Sequence, residues 1–229
     1  MRYLIGNWKS NENNTQTKLW LETFKNNQPP SKIDLSTIVC MPFTNLAEAN
    51  RYVAEFNLPI QIGAQDVSAF PSGSHTGGIT AGMLSELIGF CLVGHSERRQ
   101  ELGEDSDMVT SKAKILLESS ITPIVCIDEP YLEEQVKSLY TGKVAIEKCL
   151  FAYEPLLAIG SGKPAVPDDV ERVAAKINFL TDSVCPVIYG GSVGEANITS
   201  FASLPNISGV LVGTNSLDPK TFVKLMSCV

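Results

Sequence analysis

Residues 149–191 read CLFAYEPLLAIGSGKPAVPDDVERVAAKINFLTDSVCPVIYGG, in which two apolar runs flank a segment of helical periodicity. The runs, Cys149–Tyr153 and Pro186–Tyr189, are short and almost continuously apolar, which is typical of strands covered on both faces of a sheet. Between them, Pro167–Leu180 begins with a proline and two acidic residues, a typical helix start. A strand, a helix and a second strand predict a parallel strand pair with a right-handed crossover.

The same alternation extends in both directions along the chain. Eight candidate strands are bounded by Gly, Pro or Asn: Arg2–Gly6, Thr37–Met41, Pro59–Gly63, Phe90–Val93, Thr122–Ile127, Cys149–Tyr153, Pro186–Tyr189 and Gly209–Val212. Segments of helical periodicity lie between them, among them Thr15–Phe24, Asn45–Glu55, Ala81–Leu87, Ser106–Glu118, Tyr131–Glu147, Pro167–Leu180 and Ala196–Ser203. Eight such units in 229 residues fit one closed barrel better than two smaller domains. We therefore predict an α/β fold, a single-domain (β/α)8 barrel over residues 1–229.

The composition argues against several classes of protein. Lys and Arg number 18 and Asp and Glu 25, so the formal net charge is −7, which does not favour nucleic acid or an anionic membrane as partner. No apolar run approaches the roughly 20 residues of a membrane helix, and the N-terminus does not read as a signal peptide. Six cysteines without a Cys-x-x-Cys spacing predict reduced thiols and a cytoplasmic location. Two histidines, His75 and His95, argue against a histidine-rich metal site.

Polar residues and glycines follow six of the predicted strands. In a parallel barrel, the loops after the strands share one rim, where the chemistry of such folds is found. The residues expected on this rim are Asn7, Lys9, Gln65, His95, Glu154, Gly191-Ser192 and Gly213. Their convergence predicts a functional site at the carboxyl ends of the strands.

Three glycine-containing loops on this rim predict a phosphate site. They are Gly160-Ser161-Gly162, Tyr189-Gly190-Gly191-Ser192-Val193 and Gly213-Thr214. Such loops offer backbone N–H groups without side-chain obstruction, and barrels commonly bind phosphate after the seventh and eighth strands. The alternative interpretation is ordinary turn chemistry, since glycine is common wherever a chain turns.

Three side chains suit proton transfer. Glu154 ends an apolar strand, where a carboxylate withdrawn from water can act as a general base, or alternatively form a salt bridge. His95 precedes a predicted helix, whose N-terminus favours a neutral, hydrogen-bonding imidazole; the alternative is a simple helix cap. Lys9 can place an ammonium over an anionic substrate, or be a solvated surface charge. Together they indicate proton abstraction next to a carbonyl on a small phosphorylated substrate, with Glu97, Arg98 and Arg99 as a supporting set of ion pairs.

Five motifs, in order along the chain, resemble the triosephosphate isomerase family. They are Gly6-Asn7-Trp8-Lys9, Gly94-His95-Ser96-Glu97-Arg98-Arg99, Ala152-Tyr153-Glu154-Pro155, Ala158-Ile159-Gly160-Ser161-Gly162-Lys163 and Tyr189-Gly190-Gly191-Ser192-Val193. The resemblance spans residues 6 to about 218, essentially the whole chain. It implies interconversion of dihydroxyacetone phosphate and D-glyceraldehyde 3-phosphate through an enediolate, in glycolysis and gluconeogenesis, without metal or organic cofactor.

The resemblance also implies roles for residues at matching positions. Glu154 would move the proton between C1 and C2, His95 would polarise the carbonyl, and Lys9 would stabilise the enediolate and phosphate charge. Residues from about 155 to 165 would form a lid over the substrate, and residues 65–79 a loop that docks onto a second copy in a homodimer. The residues implied in substrate binding or support are Asn7, Gly160, Ser192, Gly213, Thr214, Ser96 and Glu97.

Several positions depart from the family pattern. At the lid hinges, Leu157 stands where tryptophan is usual, and Pro164 fixes its own φ near −65°. Thr214 replaces a second glycine and would be strained if that position needs a positive φ. In the docking loop, His75 replaces an aromatic residue and Gly78 a glutamate. The hinge and glycine departures motivate a second interpretation, a barrel that binds phosphate ligands without catalysis. A third interpretation is a different phosphate-binding barrel enzyme, because a fold alone does not give a function.

Overall fold

The computed structural model describes residues 1–28, 34–155 and 164–229. Eight parallel strands form a closed barrel in which each strand pairs with the next and the eighth pairs with the first. The strands are β1 (Arg2–Asn7), β2 (Leu35–Met41), β3 (Gln61–Ala64), β4 (Phe90–Val93), β5 (Thr122–Ile127), β6 (Leu150–Tyr153), β7 (Val187–Gly190) and β8 (Gly209–Val212). The predicted single-domain (β/α)8 barrel is confirmed, and every predicted strand overlaps an observed one.

Helices surround the barrel. They are α1 (Asn14–Asn27), α2 (Leu46–Phe56), α3 (Ala81–Leu84), α4 (Ser96–Leu102), α5 (Ser106–Glu118), α6 (Leu132–Thr141), α7 (Pro167–Leu180), α8 (Ile198–Ala202) and α9 (Pro219–Cys228). Single 3₁₀ turns lie at Phe43–Asn45, Glu129–Tyr131, Ile146–Lys148 and Thr214–Ser216. Among the described residues, no helix has the length and apolarity needed to cross a bilayer.

Helix α6 is shorter than the helix predicted over Tyr131–Glu147, because the chain is forced to turn after Thr141. A Cβ on the next residue, Gly142, would lie within 2.4 Å of Cγ2 of Thr110 in α5, so the two helices approach closely there. Lys143 then adopts a φ of 56°, which takes the chain out of the helix. Helices α3 and α8 are likewise shorter than predicted, and α9 was not among the predicted segments.

The interior of the barrel positions two of the predicted site residues. Successive residues of a strand face opposite sides, so the positions two apart share one face. In β1, the interior residue Ile5 is followed two residues later by Asn7, and in β6 the interior residue Ala152 is followed in the same way by Glu154. The cluster below them consists of Ile5, Ile38, Cys40, Leu92, Ile124, Cys126, Leu150, Ala152, Ile188 and Leu211. Asn7 and Glu154 therefore lie at the top of the barrel interior.

A second core lies between the barrel and its helices and anchors the start of the site. Trp8 is fully buried, and its indole Nε1 donates to the carbonyl oxygen of Ser216 at 3.2 Å. Trp20 of α1 donates to the same oxygen at 3.0 Å, and the two indole rings meet edge to face at 5.3 Å. Both indoles thus tie the end of β1 and helix α1 to the turn after β8.

Candidate active site

A cavity of about 380 Å³ opens at the carboxyl ends of the strands. It brings together seven of the predicted site residues, namely Asn7, Lys9, His95, Glu154, Ser192, Gly213 and Thr214. Gly160, the remaining predicted substrate-binding residue, lies outside the described residues, as does Leu157 at the expected lid hinge. The remaining described lining residues are Gly190, Gly191, Val193, Gly194, Leu211 and Asn215.

Glu154 is held at the floor of this cavity. Its backbone N–H donates to the carbonyl oxygen of Ile127 at 2.8 Å, and only 2% of the residue is exposed. One carboxylate oxygen, Oε1, lies 3.3 Å from Nε2 of His95. The other, Oε2, is buried without a hydrogen-bond partner among the described residues. A buried acceptor without a partner is costly in a folded protein, so the environment of this carboxylate is unusual for a purely structural glutamate.

Gly190 leaves the space that Glu154 occupies. A Cβ on this glycine would lie 2.9 Å from Cγ of Glu154, closer than unbonded carbon atoms approach. Gly190 follows the interior residue Ile188 on β7, so it faces the same interior as Glu154. Glycine in the Tyr189-Gly190-Gly191 stretch therefore does more than turn the chain, because it sets where the carboxylate can lie.

His95 is at once a helix cap and a cavity residue. It is the N-cap of α4, and its ring Nδ1 accepts the backbone N–H of Glu97 at 3.2 Å. A ring nitrogen that accepts an N–H carries no proton, so the hydrogen-bond pattern assigns the proton of a neutral imidazole to Nε2. That Nε2–H lies beside the Glu154 carboxylate at the cavity floor. The two interpretations of His95 from the sequence are therefore both met by one geometry.

Lys9 is fixed through its backbone. Its φ of 53° is unusual for a residue with a side chain, and two side chains hold this conformation. The Lys9 N–H donates to Oδ1 of Asn7 at 3.0 Å, and Nε2 of Gln65 donates to the Lys9 carbonyl oxygen at 2.9 Å. The ammonium extends to Oε1 of Glu97 at 2.5 Å. Lys9 is thus a partly exposed, ion-paired cation and not a solvated surface charge.

The residues expected to support the site act in different ways. Ser96 is buried at the first position of α4. Arg98 forms the expected ion pairs, with Asp66 at 2.8 Å and with Glu104 at 2.5 Å. Arg99 departs from the prediction because it acts as a hydrogen-bond donor to uncharged groups, the carbonyl oxygens of Gly94 and Cys126 and Oε1 of Gln135. It thereby joins the ends of β4 and β5 to α6.

The glycine-containing loops after β7 and β8 line the same cavity. Thr214 begins the 3₁₀ turn that follows Gly213, and it is not among the residues with positive φ. The strain considered for a threonine at this position is therefore absent, because a 3₁₀ turn uses ordinary helical dihedrals. Asn215, the next residue, lines the same corner and was not predicted. Its position directly after Gly213-Thr214 is the signal that could have found it.

The C-terminal end of the expected lid is tied to β7. The backbone N–H of Ala165 donates to the hydroxyl oxygen of Tyr189 at 3.2 Å. Burial raises the pKa of this tyrosine above its ordinary value, so the phenol is protonated at neutral pH. Pro164 precedes this bond and α7 begins at Pro167, so a rigid junction separates the helix from residues 156–163.

Across the parts of the chain that the structure describes, no three His, Cys, Asp or Glu side chains are arranged to hold a metal ion.

Comparison with known proteins identifies the family. A sequence model described as triosephosphate isomerase matches residues 2–229. A triosephosphate isomerase of Thermus thermophilus is 36% identical over 245 residues, covering 97% of this chain and 96% of the relative. Those of Corynebacterium diphtheriae and Aquifex aeolicus are 36% and 34% identical, covering 97% and 98% of this chain and 94% and 98% of the relatives. Taken with the closed barrel and the residues gathered at its rim, these matches show that the chain belongs to the triosephosphate isomerase family.

Proposed function

We propose that this protein interconverts dihydroxyacetone phosphate and D-glyceraldehyde 3-phosphate, with Glu154 as the base that moves the proton. The observation that carries the proposal is the buried Glu154 carboxylate in the cavity lining, whose Oε1 lies 3.3 Å from Nε2 of His95. A proton acceptor and a hydrogen-bond donor at one cavity floor are what abstraction of a proton next to a carbonyl requires.

In the proposed reaction, the Glu154 carboxylate takes a proton from C1 of dihydroxyacetone phosphate. The C–H electron pair forms a C1–C2 double bond, and the carbonyl electron pair moves to O2, which gives an enediolate. His95 donates its Nε2–H to the developing oxyanion and transfers protons between O2 and O1. Glu154 then returns its proton to C2, which yields the aldehyde. The reaction is an isomerisation, so no oxidant or reductant is needed.

Charge on the intermediate and on the phosphate is balanced by Lys9, which Asn7 holds in place. We propose that the phosphate binds between the loops after β7 and β8, in contact with Ser192, Gly213 and Thr214. These three residues line the same cavity. Gly160 and the lid of residues 155–165 would close over it and exclude water. The Ala165–Tyr189 hydrogen bond supports this proposal, because it gives such a lid a fixed end.

The proposed base is tested by replacing it with an isosteric amide. Glu154→Gln should reduce kcat by about 10²- to 10⁴-fold, the usual worth of a general base, while binding of the non-reacting analogue glycerol 3-phosphate persists. Glu129→Gln is the matched control, since it makes the same charge change in the loop after β5, where Glu129 is half-exposed and paired with Arg172. Its turnover should equal that of the wild type.

Each other outcome has a definite meaning. Turnover that survives Glu154→Gln would move the base to another residue while keeping the reaction. Equal losses of analogue binding and turnover would contradict the role of Glu154 as a base. Analogue binding without turnover in the wild type would favour the alternative of a barrel that binds phosphate ligands without catalysis.

We further propose that two copies associate through residues 65–79. Residues 71–77 of this loop are exposed, and His75 stacks on Phe70 at a centroid distance of 4.4 Å, which gives the loop an ordered aromatic surface. Exposed apolar side chains line the adjacent groove of about 630 Å³, namely Phe43, Phe70, Leu102 and Met108. Apolar groups clustered around a groove are typical of an interaction surface, and a closed two-fold pair is the commonest assembly.

A cytoplasmic location is proposed on the cysteine chemistry. All six cysteines have free thiols, and reduced thiols are typical of the cytoplasm. Fractionation of the native cells, with the protein detected by antibody, would test the location directly.

A further inference from the structure

The side chain of Asn215 bridges the loops that follow β7 and β8. Its Nδ2 donates to the carbonyl oxygen of Val193 at 2.6 Å, between residues 22 apart in sequence. The bridge spans the corner of the cavity that Gly213 also lines. A Cβ on Gly194 would lie 3.0 Å from the same Nδ2, so glycine at that position leaves the amide room to reach across.

The loop after β7 is otherwise shaped by contacts within itself. The N–H of Gly194 donates to Oδ1 of Asn197 at 2.8 Å, and Nδ2 of Asn197 donates to the carbonyl oxygen of Ser192 at 2.9 Å. These bonds define the curvature of the loop, but they do not define its distance from the loop after β8. The pairing of β7 with β8 fixes the strand ends below the loops, and the Asn215 bond constrains the distance above them, because its donor and acceptor belong to different loops.

We propose that Asn215 is a positioning residue that holds the two loops at the spacing required by the substrate phosphate. The proposal rests on the proposed function, in which Ser192 and Gly213 contact that phosphate from opposite loops. Groups on two loops bind one anion more tightly when their spacing is set beforehand, because less ordering is left to the binding event. The amide is neutral, so it fixes the spacing without adding charge next to the anion.

The test measures phosphate affinity and turnover separately. In Asn215→Ala, the dissociation constant of inorganic phosphate and the KM for D-glyceraldehyde 3-phosphate should both rise about fivefold, the usual worth of one hydrogen bond. The kcat should stay within about twofold of the wild type, because the bond touches no reacting atom. Asn215→Asp should weaken phosphate binding further, since a carboxylate cannot donate to Val193 and repels the anion.

Asn178→Ala is the matched control. Its Nδ2 also makes a bond between elements, to Oδ1 of Asn206 at 2.8 Å, but away from the cavity. This variant should leave the phosphate dissociation constant unchanged, even if both alanine variants lower the melting temperature equally. A purely structural role for Asn215 predicts the same phosphate affinity in both.

Three results would overturn the proposal. They are unchanged phosphate affinity in Asn215→Ala, a loss of kcat with phosphate affinity retained, and an equal loss of affinity in the Asn178→Ala control. Calorimetric binding of phosphate does not depend on turnover. A wild type that binds phosphate without isomerising the triose would therefore refute the proposed function, while the phosphate affinities of the variants would still test the role of Asn215. A wild type that binds no phosphate would overturn the role of Asn215.

Discussion

Replacing Gly190 with alanine should move the proposed base without removing it. The new Cβ would lie 2.9 Å from Cγ of Glu154, whereas unbonded carbon atoms rest about 3.5–4.0 Å apart. The Glu154 side chain must therefore shift by roughly 0.6–1.1 Å to restore ordinary contact distances. A misplacement of about 1 Å can reduce a catalysed rate by about 10²-fold, so we expect kcat to fall by about ten- to a hundredfold. The KM should change little, because the nearest neighbours of the new Cβ are all atoms of Glu154 and not of the residues proposed to bind the phosphate.

The measurement is a coupled assay of D-glyceraldehyde 3-phosphate isomerisation, with melting temperatures recorded in parallel. Gly89→Ala is the matched control, since Gly89 lies before β4 at the opposite end of the barrel and a Cβ there would have its nearest neighbour at 3.8 Å. It should leave kcat unchanged. Wild-type kcat in Gly190→Ala would refute the reasoning, as would equal losses in the two glycine variants.

Three further predictions concern a helix cap, the thiols and the proposed assembly. Asp218 caps α9 by accepting from Thr221, and the Thr221 hydroxyl, followed by nearby backbone groups, lowers the pKa of this carboxyl. A carboxyl whose pKa is lower in the folded than in the unfolded state stabilises the protein at pH values above its unfolded-state pKa. This stabilisation is lost as the pH falls through the folded-state pKa. Asp218→Ala should therefore lower the free energy of unfolding by about 1 kcal/mol at pH 7 and by less in acid, whereas the control Asp218→Asn should keep the helix cap. Urea titrations at both pH values measure this free energy. An equal loss of stability at the two pH values would contradict the prediction. Burial raises the pKa of the Cys40, Cys91 and Cys126 thiols. Iodoacetamide should therefore modify the exposed Cys228 first in the native protein, and mass spectrometry measures the order of modification. Early modification of a buried thiol would contradict the packing of the barrel interior. Leu102→Glu places a charge in the apolar groove and should shift sedimentation toward the monomer, and an unchanged sedimentation profile would remove the proposed interface.

The fold was predictable because its strands carry an unambiguous signal. Short runs such as Phe90–Val93 are apolar at every position, which is typical of strands covered on both faces, and the observed β4 has these same bounds. Helix ends were less predictable, since they depend on contacts between elements. The end of α6 is set by the approach of Gly142 to Thr110, a contact between separate helices that periodicity within one segment does not contain.

The candidate site was predictable to the level of its side chains but not of their contacts. The alternation of side chains along β6 is enough to bring Glu154 to the rim of the barrel. His95 directly precedes a helix, and a residue at that position can cap the helix. The protonated nitrogen of His95 depends on the bond from the Glu97 N–H, which exists only once α4 has its observed orientation. The hydrogen bond from Asn215 to Val193 joins residues 22 apart in sequence, and no local sequence pattern predicts a contact at that separation.

The Lys9–Glu97 ion pair bears on how a substrate reaches this protein. Lys9 is the single cation among the described residues that line the cavity, and it is ion-paired with Glu97. The chain as a whole carries a net charge of −7, so an approaching triose phosphate meets weak repulsion and not a guiding field. Encounter is then governed by random diffusion, and recognition begins only on contact. Added salt should screen the repulsion and leave the capture rate unchanged or slightly faster, the reverse of the slowing seen where opposite charges steer a ligand inward.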